Sequence, residues 1–344
     1  MSNARFTADA DLQALNSLSV SSFCSWFATI DTLPSLVSAA RFAEEHGLSI
    51  LPIGEGTNIV LNESVKALVL KIALRGRSIL QRDSQTVLVE VAAGENWHDF
   101  VLWTLQQQAA GLENLALIPG TCGAAPIQNI GAYGVELDQF VDSVEVFDLA
   151  EKNTRYIAAK DCDFSYRESI FKQALMGKVM VTALRLRLHS NIQYRPSVNY
   201  PALAEYMQTY RLPETAEAVC SAVCDVRRQK LPDPKDTPNV GSFFKNPVID
   251  QNTAKSLKAA YPDMPMYETE EANRTKVPAA WLIDKAGWKG YSEGGVGVHT
   301  HQALVLINPG RRPATDVLAL ASKIAASVED TFAIQLEREP RVIG

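Results

Sequence analysis

The chain has 344 residues, 47% apolar and 21% charged, with a formal net charge of −6. That length suggests two or three domains, and the composition is that of a globular protein. A nucleic-acid binder is excluded because no Lys/Arg block offers a polyanion a basic face, and membrane insertion because no apolar run reaches spanning length.

Taken in order, MSNARFTADAD lacks the basic and apolar regions of a signal peptide. Leu36 to His46 reads as a helix, with Asp31 and Thr32 leading in, Pro34 in the first turn and Gly47 as the stop. Leu48 to Ile53 is strand-like. Gly54-Glu55-Gly56-Thr57-Asn58 follows and runs straight into the apolar Ile59-Val60-Leu61. A dinucleotide fingerprint needs a third glycine where Ile59 stands, and a helix where a strand is expected. A glycine turn between two strands, with N–H groups facing a phosphate, fits better. Val65 to Ile72 and Thr86 to Ala92 are β-rich, and Asn96 caps a helix expected over Trp97 to Ala110, ended by Gly111.

Ile118 to Gly134, IPGTCGAAPIQNIGAYG, holds four glycines and two prolines in seventeen residues and no charge. Such a loop offers N–H groups and van der Waals surface where side chains normally stand. It suits a large, flat, partly apolar ligand carrying a phosphate; a buried crossover between strands is the equal alternative. Beyond it, Val141 to Asp148 and Arg155 to Ile157 suggest a hairpin, and Lys178 to Leu188 a long strand with Met180, Thr182, Leu184, Leu186 and Leu188 on one face. Thr215 to Arg228 is an amphipathic helix stopped by Pro232 and Pro234, where a domain boundary is placed. A short helix near Thr253 to Ala260, an irregular stretch over Tyr261 to Lys276 and a helix over Ala279 to Ala286 follow. A strand over Gln302 to Ile307, the helix Thr315 to Phe332 and a last strand over Ile334 to Glu337 complete the chain. The pattern is α+β, not a doubly wound sheet. Five scattered cysteines lack zinc spacing, and Cys122 reads as a small filler in the loop. His299 and His301, two apart, read as polar residues on one face of a strand; no third ligand stands nearby, so no metal is expected, and the cytoplasm is the expected location.

Taken together, several segments resemble the UDP-N-acetylenolpyruvoylglucosamine reductase (MurB) family of flavoenzymes, in its longer form. They are GEGTN at Gly54, GLENLALIPGTCGAAPIQNIGAYGVEL from Gly111, FSYRESIFK from Phe164, KLPDP at Lys230, GSFFKNP at Gly241, AAWLIDKAGWKG at Ala279, HQALVLIN at His301 and LEREPRVIG at Leu336. The resemblance implies a PCMH-type FAD-binding pair of subdomains, like that of the vanillyl-alcohol oxidase group, over residues 15–228 with a split near 62–70. A substrate-binding α+β domain would cover 229–332, and a C-terminal strand over 333–344 would return to the flavin. It implies FAD as cofactor, NADPH as hydride donor and a nucleotide-sugar substrate; a monomer is expected. The flavin would meet Gly54, Glu55, Gly56, Thr57 and Asn58, then Ile118, Pro119 and Gly120, then Gly131, Ala132 and Tyr133, with Arg227 and Arg341.

Hydride addition to the enolpyruvyl group builds negative charge on its α-carbon and carboxylate. Arg167 and Glu339 match the family's residues there. Glu339 is expected to be protonated or paired with a cation, and Ser242 matches the proton donor to the α-carbon. Tyr200, Lys230, Asn246 and Gln302 match substrate contacts, Tyr200 as a lid over the uridine. Ala124 and Ala125 stand where many relatives carry small hydroxyl residues. Two rivals remain at this point: an oxidase of the same fold, and a non-catalytic nucleotide-sugar binder.

Overall fold

The computed structural model describes residues 4–190, 194–269 and 271–344. They divide into two compact units, neither continuous in sequence. The first takes residues up to Ala10, Cys24–Glu55 and Lys66–Gln229; the second takes Asp11–Phe23, Gly56–Val65 and Lys230–Gly344.

The first unit carries a four-stranded sheet ordered Thr7–Asp11, Phe23–Ile30, Ser64–Ile72, Ile50–Ile53, the last two strands parallel. Helix α1 (Leu33–Glu45) starts where Thr32 and Ser35 exchange side-chain and backbone hydrogen bonds, a capping box with Pro34 in the first turn. A six-stranded antiparallel sheet has Val179–Ser190 at its centre, flanked by Val141–Asp148 and then Asn153–Ala158 on one side and by Thr86–Ala92 and then Arg77–Arg82 on the other. The alternating apolar residues of Val179–Ser190 are buried, as the period of two requires. Helix α2 (Trp97–Gln106) is capped by Asn96 and buries Trp97, Phe100 and Val101 in the main core. Each such side chain contributes about 1.5–3 kcal/mol relative to exposure. Helices α3 (Pro201–Thr209) and α4 (Ala216–Lys230) follow.

The second unit holds a four-stranded sheet ordered Asn239–Ser242, Val305–Ile307, Val296–Val298, Ser292–Glu293, and a three-stranded one of Val248–Asp250, Arg274–Lys276 and Tyr267–Glu268. Helices α5 (Gln251–Ala260), α6 (Ala279–Lys285) and α7 (Ala314–Phe332) complete it. The stripe Val317, Leu320, Ile324 and Val328 is buried throughout. Ile59–Leu61 pairs in parallel with Arg341–Ile343. Among the described residues no helix is long and apolar enough to cross a membrane.

Several expectations are corrected. Helix α2 ends at Gln106, not Ala110: Gln108 turns left-handed, and Ala109–Ala110 joins the end of Val179–Ser190 as a short strand. The stretch 261–276 contains two short strands, residue 270 lying outside the described residues. The strand expected over Gln302 to Ile307 shortens to Val305–Ile307 because Gln302 closes a turn onto Val305. The last strand is Arg341–Ile343 rather than Ile334 to Glu337, because the pairing partner, Ile59–Leu61, lies near the other end of the chain. The strand after Gly54–Asn58 is present, which disposes of the dinucleotide fingerprint.

Helix α7 stops at Ala333, exposed and left-handed at φ 53, its N–H donating to the Glu329 carbonyl. An L-residue there costs about 1–2 kcal/mol, partly offset by the entropy glycine adds to the unfolded chain. Ala333→Gly should raise the thermal midpoint by roughly 1–3 °C; a fall would mean that the cap is not strained.

Candidate active site

The uncharged loop is sewn to the first turn of α2. The Trp97 indole N–H donates to the Leu115 carbonyl at 2.9 Å, and the Trp97 backbone N–H donates to Gly120 at 3.0 Å. His98 Nδ1 accepts from Leu117 N–H at 3.0 Å. The N–H groups of Cys122 and Gly123 donate to Glu95 and Ala93 at 2.9 and 2.8 Å. A helix N-terminus leaves backbone donors free, and here one is used on the loop. Gly54 lies so close to Thr121 that a Cβ would stand 2.5 Å from its Oγ1. Glu55 Oε1 accepts from the Asn96 amide at 3.1 Å. Ile118 is half-buried, Pro119 exposed and Gly120 buried. Burial raises the Cys122 thiol pKa well above its usual range, so it is an unreactive filler.

Gly131–Ala132 pairs with Val135–Glu136 across a turn in which both Tyr133 (φ 51) and Gly134 (φ 82) are left-handed. Tyrosine is costly there, and such strain collects at functional positions. Asn114, fully buried, holds it: its amide nitrogen donates to the Tyr133 carbonyl at 3.1 Å and to Ser197 at 2.9 Å. The Tyr133 ring meets Tyr200 edge-on at 5.2 Å. Burial pushes the Tyr133 phenol up to about 12, against the opposing pull of Arg227. Tyr200 is exposed at the start of α3.

Arg167 is also left-handed (φ 59), and its guanidinium donates to the Gly131 carbonyl at 2.9 Å. Buried Asn129 steadies this region: its amide donates to Glu136 and to the Ser165 carbonyl, and its oxygen accepts from Asp138. Arg227, on α4, is half-buried. Its Nε is inaccessible and has no hydrogen-bond partner among the described residues. Burial lowers the Arg227 pKa, with Tyr133 and Cys224 pulling it back up.

In the second unit, Gly56 is left-handed (φ 63) and packed against the Leu15 carbonyl, where no Cβ fits. Its own carbonyl accepts from Ser17 N–H at 3.1 Å. The Ser17 hydroxyl donates to the Asn239 carbonyl at 2.6 Å, and Asn239 Oδ1 accepts from Gly241 N–H at 2.8 Å. Gly241 (φ 72) turns the chain into half-buried Ser242, which lies opposite Val305. Glu339 N–H donates to the Phe243 carbonyl at 3.0 Å, and Phe244 bridges Arg338. The backbone thus sets Glu339 beside the segment of Ser242. Lys245 clamps the two segments through a 2.7 Å ion pair to Glu337.

Arg341 N–H donates to Asn58, and Thr57 and Asn58 are half-buried. Lys230 is exposed, Gln302 half-buried, and the Asn246 side chain accepts from Ala279 N–H at the start of α6. His299 and His301 sit in a turn with rings 5.5 Å apart, not on a strand.

Sequence reasoning missed Ser17, His98, Glu113, Asn114 and Asn239. Glu113 is fully buried; burial pushes its carboxyl pKa up, against the Tyr194 hydroxyl and the Gly111 N–H. For Glu113 and Asn114 the sequence signal is a pair of polar residues inside the apolar run GLENLALI, which must find partners once buried.

The residues present fit a flavin dinucleotide. An uncharged loop with its backbone already anchored suits an apolar ring, and the orphaned Arg227 Nε requires an acceptor that the described residues do not supply. Residues 233–343 match the UDP-N-acetylenolpyruvoylglucosamine reductase C-terminal domain model, and residues 26–153 match an FAD binding domain model. The UDP-N-acetylenolpyruvoylglucosamine reductase of Xylella fastidiosa (strain 9a5c) is 41% identical over 98% of this chain and 95% of its own. That of Pseudomonas aeruginosa is 45% identical over 88% and 89%. The crystal structure of the Thermus caldophilus reductase shares the fold at a TM-score of 0.66 and 22% identity, covering 99% of each chain. The α+β reading, an FAD-binding PCMH-type domain followed by a C-terminal domain, therefore holds. On identity that runs nearly end to end, the chain belongs to the UDP-N-acetylenolpyruvoylglucosamine reductase family.

Proposed function

We propose that this chain reduces UDP-N-acetylglucosamine enolpyruvate to UDP-N-acetylmuramate, with NADPH and bound FAD, for peptidoglycan precursor synthesis. It works as a monomer in the cytoplasm. The observation that carries the reading is the backbone pairing of Glu339 to Phe243, which brings a carboxyl-bearing residue beside a serine turned out by Gly241.

Gly54 to Asn58, Ile118 to Gly120, Gly131 to Tyr133, Arg227 and Arg341 would hold FAD. When bound, FAD supplies the redox chemistry, a hydride taken from NADPH and passed to the enolpyruvyl double bond. The residues of the chain handle the charge and the proton. Negative charge builds up on the substrate's α-carbon and carboxylate. Arg167, always cationic and anchored through the Gly131 carbonyl, is preorganised to stabilise it. Ser242 then transfers its hydroxyl proton to the α-carbon, a strong enough base to take it. Glu339 completes the set there, protonated or paired with a cation, since an ionised carboxylate would repel the developing anion. Lys230 meets the diphosphate, Asn246 and Gln302 bind the sugar nucleotide, and Tyr200 closes over the uridine.

Two variants test this. In stopped flow, Ser242→Ala should leave bleaching of the visible band by NADPH at the wild-type rate. It should slow recovery on adding the enolpyruvyl substrate by about two to four orders of magnitude. Equal slowing of both phases would make Ser242 structural. Arg227→Met keeps the apolar stem and removes the orphaned donor. FAD affinity should fall by about 10–100-fold, while the apo-protein melts no lower than wild type, because a desolvated charge is removed. Retained FAD with a destabilised apo-protein would assign Arg227 to the core instead.

A further inference from the structure

His98 stands in the first turn of α2, half-buried, with Nδ1 3.0 Å from the backbone nitrogen of Leu117. A backbone N–H can only donate. Nδ1 therefore presents a lone pair there, and a neutral ring carries its proton on Nε2. Leu117 is a left-handed residue (φ 58), an unfavourable conformation for leucine, and the chain passes from it directly into Ile118, Pro119 and Gly120. The acceptor thus acts where the loop's path is least favoured by its own sequence.

We propose that His98 is a positioning residue for the FAD loop: its neutral Nδ1 holds Leu117 left-handed and so fixes how Ile118 to Gly120 enter the site, and protonation of the ring releases them. The proposal rests on the FAD reading above.

Burial of the ring favours the neutral form. Burial lowers the His98 pKa below its ordinary value; Asp99, in the same helical turn, opposes this, and Arg228 and Arg227, on α4, reinforce it. The sign follows by linkage. Above the ordinary imidazole pKa, anchored and loosened loops are both neutral at His98, and pH does not choose between them. As pH falls below it, the loosened form takes up the proton first, and anchoring weakens by up to about tenfold per pH unit until the anchored ring titrates as well.

The experiment measures FAD affinity from pH 5 to 8, by ultrafiltration and visible absorbance, for wild type, His98→Asn and His98→Leu. Asparagine offers Oδ1 where Nδ1 was and does not titrate; leucine fills the space without an acceptor. His98→Asn is expected to bind FAD near neutral pH within about threefold of wild type, and to lose the part of the acid slope that wild type owes to His98. His98→Leu is expected to bind about 10–100-fold more weakly across the range, the effect of one buried unpaired donor. A wild-type acid slope retained in His98→Asn, or wild-type affinity in His98→Leu, overturns the proposal.

A second readout needs no cofactor. In 15N-labelled apo-protein, His98 should show a bare Nδ1, and the protection of the Leu117 amide, its exchange measured against the unstructured-peptide rate at the same pH, should fall as pH falls in wild type but not in His98→Asn. A protonated Nδ1 at neutral pH, or the same pH response in both, overturns the proposal. If no version binds FAD while this pattern holds, the flavin reading fails and the positioning role stands.

Discussion

An uncharged loop can be a binding surface only if its own backbone is already accounted for. Every buried N–H and C=O without a partner costs about as much as a lost hydrogen bond. Here the first turn of α2 and the residues just before it meet the backbone groups of Leu115, Leu117, Gly120, Cys122 and Gly123 one after another. The helix is in turn held by Trp97 and Phe100 in the main core. The loop therefore takes its shape from the scaffold and needs no ligand to define it. Beyond Gly123 the segment orders itself: the N–H groups of Ala124, Ala125, Ile127 and Ile130 donate to Thr121, Cys122, Ala124 and Ala125.

The second unit solves a similar problem with buried polar side chains. Ser17, Asn239 and the backbone of Gly56 and Gly241 form a hydrogen-bonded chain from the glycine turn to the residue before Ser242. Asn308 adds its amide to the Leu18 carbonyl, and Asn16 satisfies Leu12 and Val20. Such a network is worthwhile only when complete, since a half-satisfied one is worse than an apolar core. Its effect is positional. Ser242 is set by a left-handed glycine whose N–H is fixed by Asn239, not by packing of its own small side chain.

What was legible in the sequence follows the range of the interactions. The helices with local signals, Thr32 and Pro34 before α1 and Asn96 before α2, were readable because caps act over three or four residues. The central strand was readable from its period of two. The two-residue strand Ala109–Ala110 was not, since alanine after a helix looks like more helix and only the distant end of Val179–Ser190 makes it a strand. The true last strand was hidden for the same reason: Arg341–Ile343 is defined by a partner some 280 positions earlier in the printed sequence. In the site, the motif residues were visible as motifs. Their supports were not, because His98, Asn114 and Asn239 resemble ordinary polar residues until their acceptors and donors are seen.

The second unit is assembled from Asp11–Phe23, Gly56–Val65 and everything after Gln229, whereas the first needs nothing beyond Gln229. Translation runs from one end at several residues per second, and domains close as their segments emerge. The first unit can thus condense while the second still lacks most of its length, leaving Ile59–Leu61 without the strand it pairs with. Val60 and Leu61, fully buried once paired, are residues a nascent chain would have to shield until Arg341–Ile343 has emerged.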